Sequence, residues 1–316
     1  MLCCDLPMFL GESAMTKRTR SIAAAIAVAA AVTGTALLGA SGAASAATGA
    51  SHGTLTISNG TKDVLIGGHR VNFGVPVRDL SWSPDGTRAA FIDGSGNLDI
   101  ANADGSRRVV VAKNPGGQNW SHPTWQVTAK DTQNGIPAKD NLIFAVRDKG
   151  VSRLKYLSAK AVHGTPRTLP LSGDPEPGGA VPQTGNVWPN AGGHYGTSVY
   201  ANVDTGAVYI RDDYLRQQGG KLTKGSEPAL SPNEEEVVFV RSVAGHDHVL
   251  VEDFMHGNRI KDLTPHATTD YTEPAWSPDG KTLAVRTPSG TVTLPSNGTG
   301  HPVKVTSTAG LAAYRP

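Results

Sequence analysis

Apolar residues along this chain come in short bursts that alternate with polar ones, and turn-forming residues separate the bursts. "RAAFID" at 88–93, "NLDIANA" at 97–103 and "RRVVVAK" at 107–113 follow one another with only "GSG" and "DGS" between them. Further along, "EVVFVRS", "HVLVEDF" and "RIKDLT" repeat the scheme, with "AGHD" and "MHGN" as the breaks. Runs of four to eight residues, bounded by Gly, Asn and Asp, predict strands joined by hairpins. Helical periodicity is nowhere sustained. The pattern predicts an all-β chain.

The pentapeptide "WSPDG" ends one burst and opens the next at two distant places, Trp82–Gly86 and Trp276–Gly280. Proline presets φ at the second position of a type I turn, Asp caps with its side chain, and Gly closes it. Aligning the chain on the tryptophan gives six anchors: Trp82, Trp125, Trp188, Leu230, Trp276 and Tyr314. One anchor strand and three following strands, recurring roughly every 40 residues, is the pattern of a β-propeller blade. "GTLTISNGTKDVLIGG" at Gly53–Gly68 resembles "GTVTLPSNGTGHPVKVTS" at Gly290–Ser307, and both read as the outer two strands of a blade. The first lacks an anchor ahead of it, and "LAAYRP" at the C-terminus is an anchor with nothing behind it. Joined, the ends complete a sixth blade and remove exposed strand edges. The expectation is a six-bladed β-propeller of four-stranded antiparallel blades, its ring closed by N- and C-terminal strands, over residues 53–316.

"PAWSPDGKTLAV" at Pro274–Val285 and "LSWSPDGTRAAFI" at Leu80–Ile92 are similar to the TolB-type, WD-like repeat of periplasmic and secreted bacterial propellers. "NLDIANADGS" looks like the third strand and turn of that repeat. The turns at Gln126 and Asn190 depart from the pattern. The few residues ahead of Gly53 leave no room for the accessory α/β domain of TolB, so the resemblance implies the propeller without that domain's import role. It also implies that the anchor strands run along the central channel, so the residues just before them ring its mouth.

The first 46 residues read as a leader. "MTKRTRS" from Met15 is a basic segment, "IAAAIAVAAAVTGTALL" an apolar one, and "ASA" at Ala44–Ala46 a small-x-small cleavage site, the layout of a secretory signal. The apolar run is too Ala-rich and short to predict a lasting membrane span. "MLCCDLPMFLGESA" ahead of it fits no part of a signal and reads as an over-called start; it holds both cysteines, Cys3 and Cys4. Residues 47–52 form a short linker. The expected location is outside the cell or in its envelope, with no disulfide to brace the fold.

Composition narrows the function. Charged residues are 18% of the chain and the formal net charge is +2. With no basic block, nucleic acid is not an expected partner. Three residues before each anchor stand Asp79, His122, Gly185, Glu227, Glu273 and Leu311, so three carboxylates and a histidine meet at one opening. Asp270 lies just upstream of Glu273, and Trp120 in "GGQNWSHP" is a candidate stacking residue at the same mouth. The long connection at Leu171–Asn186 adds Asp174 and Glu176, and loops of that length are functional or disordered. His246 and His248 in "GHDH" share a strand face, as a chelating pair would, though a metal is not the expectation. From residue 47 onward no H-E-x-x-H, phosphate loop or cysteine nucleophile is present. The leading expectation is therefore a monomeric, cofactor-free binding propeller that takes a protein segment or an envelope polysaccharide at its acidic mouth. The alternative is a carbohydrate-active enzyme using the mouth carboxylates and histidines, since glycoside cleavage needs two carboxyl groups set about 5–9.5 Å apart.

Overall fold

The computed structural model describes residues 52–173, 180–214 and 218–316, all within the compact unit Ala47–Pro316. The proposed leader, both cysteines, Asp174 and Glu176 fall outside these residues. The described residues form six four-stranded antiparallel sheets in a ring and no helix. Blade 1 runs from its inner strand Val77–Trp82 outward through Arg88–Asp93, Leu98–Asn102 and Val109–Ala112. Blades 2 to 5 follow the same order from inner strands Gln118–Thr128, Asn186–Gly192, Ser226–Leu230 and Thr272–Trp276.

Blade 6 is built from both ends. Leu311–Arg315 is its inner strand and pairs along its whole length with Thr54–Ser58, and Asp63–Ile66 and His69–Asn72 follow outward. The N-terminal segment thus supplies the second, third and fourth strands. The similarity of Gly53–Gly68 to Gly290–Ser307 is offset by one strand, because hairpins of like turn chemistry look alike wherever they sit in a blade.

The second strands explain why the bursts are apolar on consecutive residues. Each is buried on both faces and packs against a blade on either side. Ala90 and Ile92 join a cluster with Trp125 and Phe144 of blade 2, while Phe91 packs with Val64 and Ile66 of blade 6. Val237 and Phe239 turn toward Val199 of blade 3, and Val238 toward Trp276 of blade 5. The core is a set of such layers between neighbouring blades, held by burial worth about 25 cal/mol per Å2 of apolar surface.

The anchor tryptophans serve those layers, as their spacing predicts. Trp82, Trp125 and Trp276 are buried. Their indole N–H groups donate to the preceding blade, at Thr56 Oγ1 (3.0 Å), the Ser81 carbonyl (3.2 Å) and the Ala229 carbonyl (3.0 Å). The "SPDG" turns close as expected. Ser83 Oγ donates to Asp85 Oδ1 and accepts from the Arg88 N–H, and Ser277 does the same with Asp279 and Thr282.

Candidate functional site at the channel mouth

Five inner strands carry the same defect at the same place. Pairing with the second strand skips between Arg78 and Ser81, Ser121 and Thr124, Val187 and Asn190, Ser226 and Ala229, and Thr272 and Ala275. Each skip leaves one extra residue on the inner strand, a β-bulge. Its first residue has left-handed backbone: Asp79 (φ 56°), His122 (50°), Trp188 (48°), Glu227 (51°) and Glu273 (51°). None is glycine, so each bulge holds strain of order 1 kcal/mol that the surrounding sheet sustains. Pro123, Pro189, Pro228 and Pro274 follow four of them, tolerated because a bulge needs no ladder N–H there. The seam blade has no bulge, and Leu311 pairs regularly with Ser58.

This places the predicted mouth residues and corrects three of them. Asp79, His122, Glu227 and Glu273 come together at one end of the channel. In blade 3 the equivalent position is held by Trp188, not Gly185, and Ala191 takes the anchor place. Trp188 is half-buried, with its ring centroid 6.3 Å from that of His122 at 76°. The shift is legible in the proline: "HPTW", "WPNA", "EPAL" and "EPAW" align on Pro, and aligning on Trp misplaced the third by three residues. Trp120 is not at the mouth. It is 2% exposed, packs on Phe144 at 5.1 Å and donates to Gln118, in the layer position Val77 fills in blade 1. Asp270 accepts from the Asp247 N–H and contacts His246, so it braces the outer hairpin of blade 4 and does not line the channel. His248 is paired with Asp262, and among the described residues no group of three or more His, Cys, Asp or Glu is arranged to hold a metal.

The mouth is a circuit of contacts between blades. Asp79 Oδ2 accepts the His122 N–H at 3.2 Å, and Glu227 Oε2 accepts the Glu273 N–H at 2.6 Å. His122 Nε2 lies 3.6 Å from Glu273 Oε1, and Arg286 Nη1 sits 2.8 Å from Glu273 Oε2. Arg286, from the second strand of blade 5, has no marker in the sequence, because only the pairing Thr272 to Arg286 brings it there. Burial lifts Glu227 to about 7, helped by the negative charge of Glu273 and opposed by the Glu273 N–H and His122. Burial works to raise Glu273 as well, but His122 and Arg286 outweigh it and hold its carboxyl below the ordinary range. Burial works to lower His122, and Glu273, Asp79 and Glu227 together hold it above its usual value.

Behind this ring lies a cavity of about 400 Å3. Its wall is mostly apolar, made of the four bulge prolines and the anchors Trp82, Trp125, Leu230, Trp276 and Tyr314, and it reaches Pro84, Pro232 and Pro278 of the opposite turns. Glu273 also lines a neighbouring recess of about 260 Å3, together with Asp79, Arg78 and Arg286.

No protein-family model and no curated protein matches the chain. Solved structures do. TolB from Acinetobacter baumannii superposes with a TM-score of 0.58 at 15% identity, over 84% of this chain and 67% of that one. A TolB-type structure from Agrobacterium tumefaciens gives 0.54 at 15% identity, over 83% and 98%. A chain of a nidogen/laminin complex gives 0.54 at 10% identity, over 83% and 98%. At these identities the shared property is the fold, a TolB-type six-bladed β-propeller.

Proposed function

We propose that this propeller is an exported binding protein that takes a protein segment bearing a cationic group at its channel mouth. One observation carries the reading: five strained bulges aim three carboxylates, a histidine and a tryptophan at the entrance of an apolar-walled cavity. Strain repeated at one ring of positions points to a site, and a concave, rigid, mostly apolar cleft with a few convergent polar groups is the usual form of one. Carboxylates attract an ammonium or guanidinium, and the edge-lined prolines and indoles suit the aliphatic stem behind it. A similar propeller forms part of a nidogen/laminin complex, which supports protein capture by this architecture. Export is supported by the signal-like layout of residues 15–46.

The test is a peptide array in which one central Lys or Arg sits among Gly and Pro, with Glu-bearing counterparts. The wild type is expected to retain the cationic peptides, and Asp79→Ala, Glu227→Ala and Glu273→Ala combined should weaken them by about tenfold or more, the scale for removing partly desolvated charge partners. Affinity unchanged by the triple substitution ends the proposal.

A second reading has one specific support. Glu227 near 7 beside a depressed Glu273 is the split that separates a general acid from a general base. Turnover of a plant or bacterial polysaccharide that disappears in Glu227→Gln, measured with and without chelator, would move the assignment to a carbohydrate-active enzyme.

A further inference from the structure

The blades bearing His122 and Glu273 are the second and the fifth of a six-membered ring, so they stand diametrically opposite each other. Their side chains nonetheless lie 3.6 Å apart. The contact spans the channel. Around the imidazole stand Asp79 of blade 1, Trp188 of blade 3, Glu227 of blade 4 and Glu273 of blade 5, with Arg286 behind Glu273 and Asp247 behind Glu227. Both ring nitrogens are buried, and among the described residues neither has a partner within hydrogen-bond distance, the Glu273 carboxylate standing just beyond it as an ion-pair contact. An imidazole normally fixes its tautomer through such a bond, so charge and packing alone hold this one. The side chains of His122 and Glu273 are 20% and 15% exposed, at the boundary between solvent and the cavity of about 400 Å3.

Resting on the mouth as a cation site, we propose that His122 is its built-in occupant, a plug that an external organic monocation, an alkylammonium or guanidinium, displaces to enter the channel. The ring of three carboxylates already surrounds the imidazole and favours its protonated form, partly balanced by Arg286. An external cation at the same spot meets the imidazole, and its charge whenever it is protonated, so the two exclude each other. Release of His122 gives up its 3.6 Å contact with Glu273, which the incoming cation replaces, and proceeds by side-chain rotation from a bulge that stays in place. Trp188, whose ring the imidazole now faces edge to face, then offers its indole to the incoming cation. The ligand class follows: a cationic head on a slender apolar stem, as a lysine side chain presents. His122 is on this account a competitor of the ligand, the opposite of a binding residue.

The probe is n-hexylammonium, titrated by calorimetry into the wild type and His122→Gly at pH 6, 7.5 and 9. Glycine adopts the φ of +50° without strain, which keeps the bulge. His122→Gly is expected to bind about tenfold tighter at pH 6, with the advantage shrinking toward pH 9 as the wild-type imidazole loses its proton. His122 opposes the raised carboxyl of Glu227, so the ratio is measured again in a Glu227→Gln background, where His122 is the difference between the two proteins. In the unmodified protein, saturating hexylammonium should lower the NMR titration midpoint of the His122 ring, because competition between proton and ligand is reciprocal. Equal or weaker binding by His122→Gly at pH 6, a ratio indifferent to pH, or an unmoved midpoint overturns the plug. Adding Glu227→Gln and Glu273→Gln to His122→Gly separates the two ideas: if affinity then stays the same, the cation site itself is wrong.

Discussion

At the scale of single residues, Glu227 and His122 couple the mouth to pH in the same direction. Glu227 has a carboxyl raised to about 7 by burial, so the folded state holds a proton that the unfolded chain gives up at lower pH. Stability contributed here is full at acidic pH and falls as pH rises through that value. His122 is raised too, so its contribution is present below the ordinary imidazole value and lost as pH climbs through the folded one. Glu273 runs the other way: its lowered carboxyl stabilises above the ordinary range and is lost on acidification. Glu227→Gln should therefore raise the melting temperature at pH 8 relative to wild type and leave it nearly unchanged at pH 4, since Gln keeps an acceptor for the Glu273 N–H without the buried charge. A variant less stable at pH 8, by thermal unfolding, would show that ionised Glu227 is a structural anion.

At the scale of elements, the paired "SPDG" turns make an internal control. Gly86 and Gly280 have φ of 65° and 71° and donate the same type of bond, from their N–H to the Ser83 and Ser277 carbonyls. Alanine at either position costs about 1 kcal/mol for left-handed backbone. Their surroundings differ. A Cβ on Gly280 meets nothing closer than Pro232 at 3.9 Å, whereas one on Gly86 lies 3.0 Å from the Pro316 carbonyl oxygen, beside Arg315, whose Nε donates to the Gly86 carbonyl at 2.7 Å. Gly86→Ala is expected to lose clearly more stability than Gly280→Ala in urea unfolding. Equal losses would mean that the closing strand does not press on the turn of blade 1. The third turn, Ser231-Pro232-Asn233-Glu234, keeps the same bonds but puts Glu234 at φ 60° where the others have Gly. Its carboxylate accepts the Tyr195 N–H of blade 3, so the strained residue ties two blades.

At the scale of the whole molecule, the ring depends on five residue pairs between Leu311–Arg315 and Thr54–Ser58. Tyr314 packs in the layer with Ala284 of blade 5, and Ala312 lies beside it. Truncation after Gly310 removes that strand, opens the layers on both sides and leaves Thr54–Ser58 as an exposed edge. The shortened chain is expected to melt roughly 10 °C or more below the full chain, given about 2–4 °C per kcal/mol for a chain of this order. It should also associate with rising concentration, as unpaired edges do. A truncated monomer with the original melting temperature would show that the layers between blades hold the ring without its seam.

The pattern of bursts and turns determined the fold by itself, because strand period, turn chemistry and burial on both faces are local and repeat six times. It reached the seam too, since an anchor without followers and followers without an anchor are legible as text. Asp79, His122, Glu227 and Glu273 followed from one offset counted back from each anchor. Trp188 was lost because a tryptophan serves equally as anchor or mouth residue, and Trp120 was misread because its layer exists only once Phe144 lies beneath it. Arg286, the pairing of His122 with Glu273 across the channel, and the opposed shifts of Glu227 and Glu273 were decided by the tertiary structure alone. Those depend on distance and burial between blades far apart in the chain, which no spacing along it encodes.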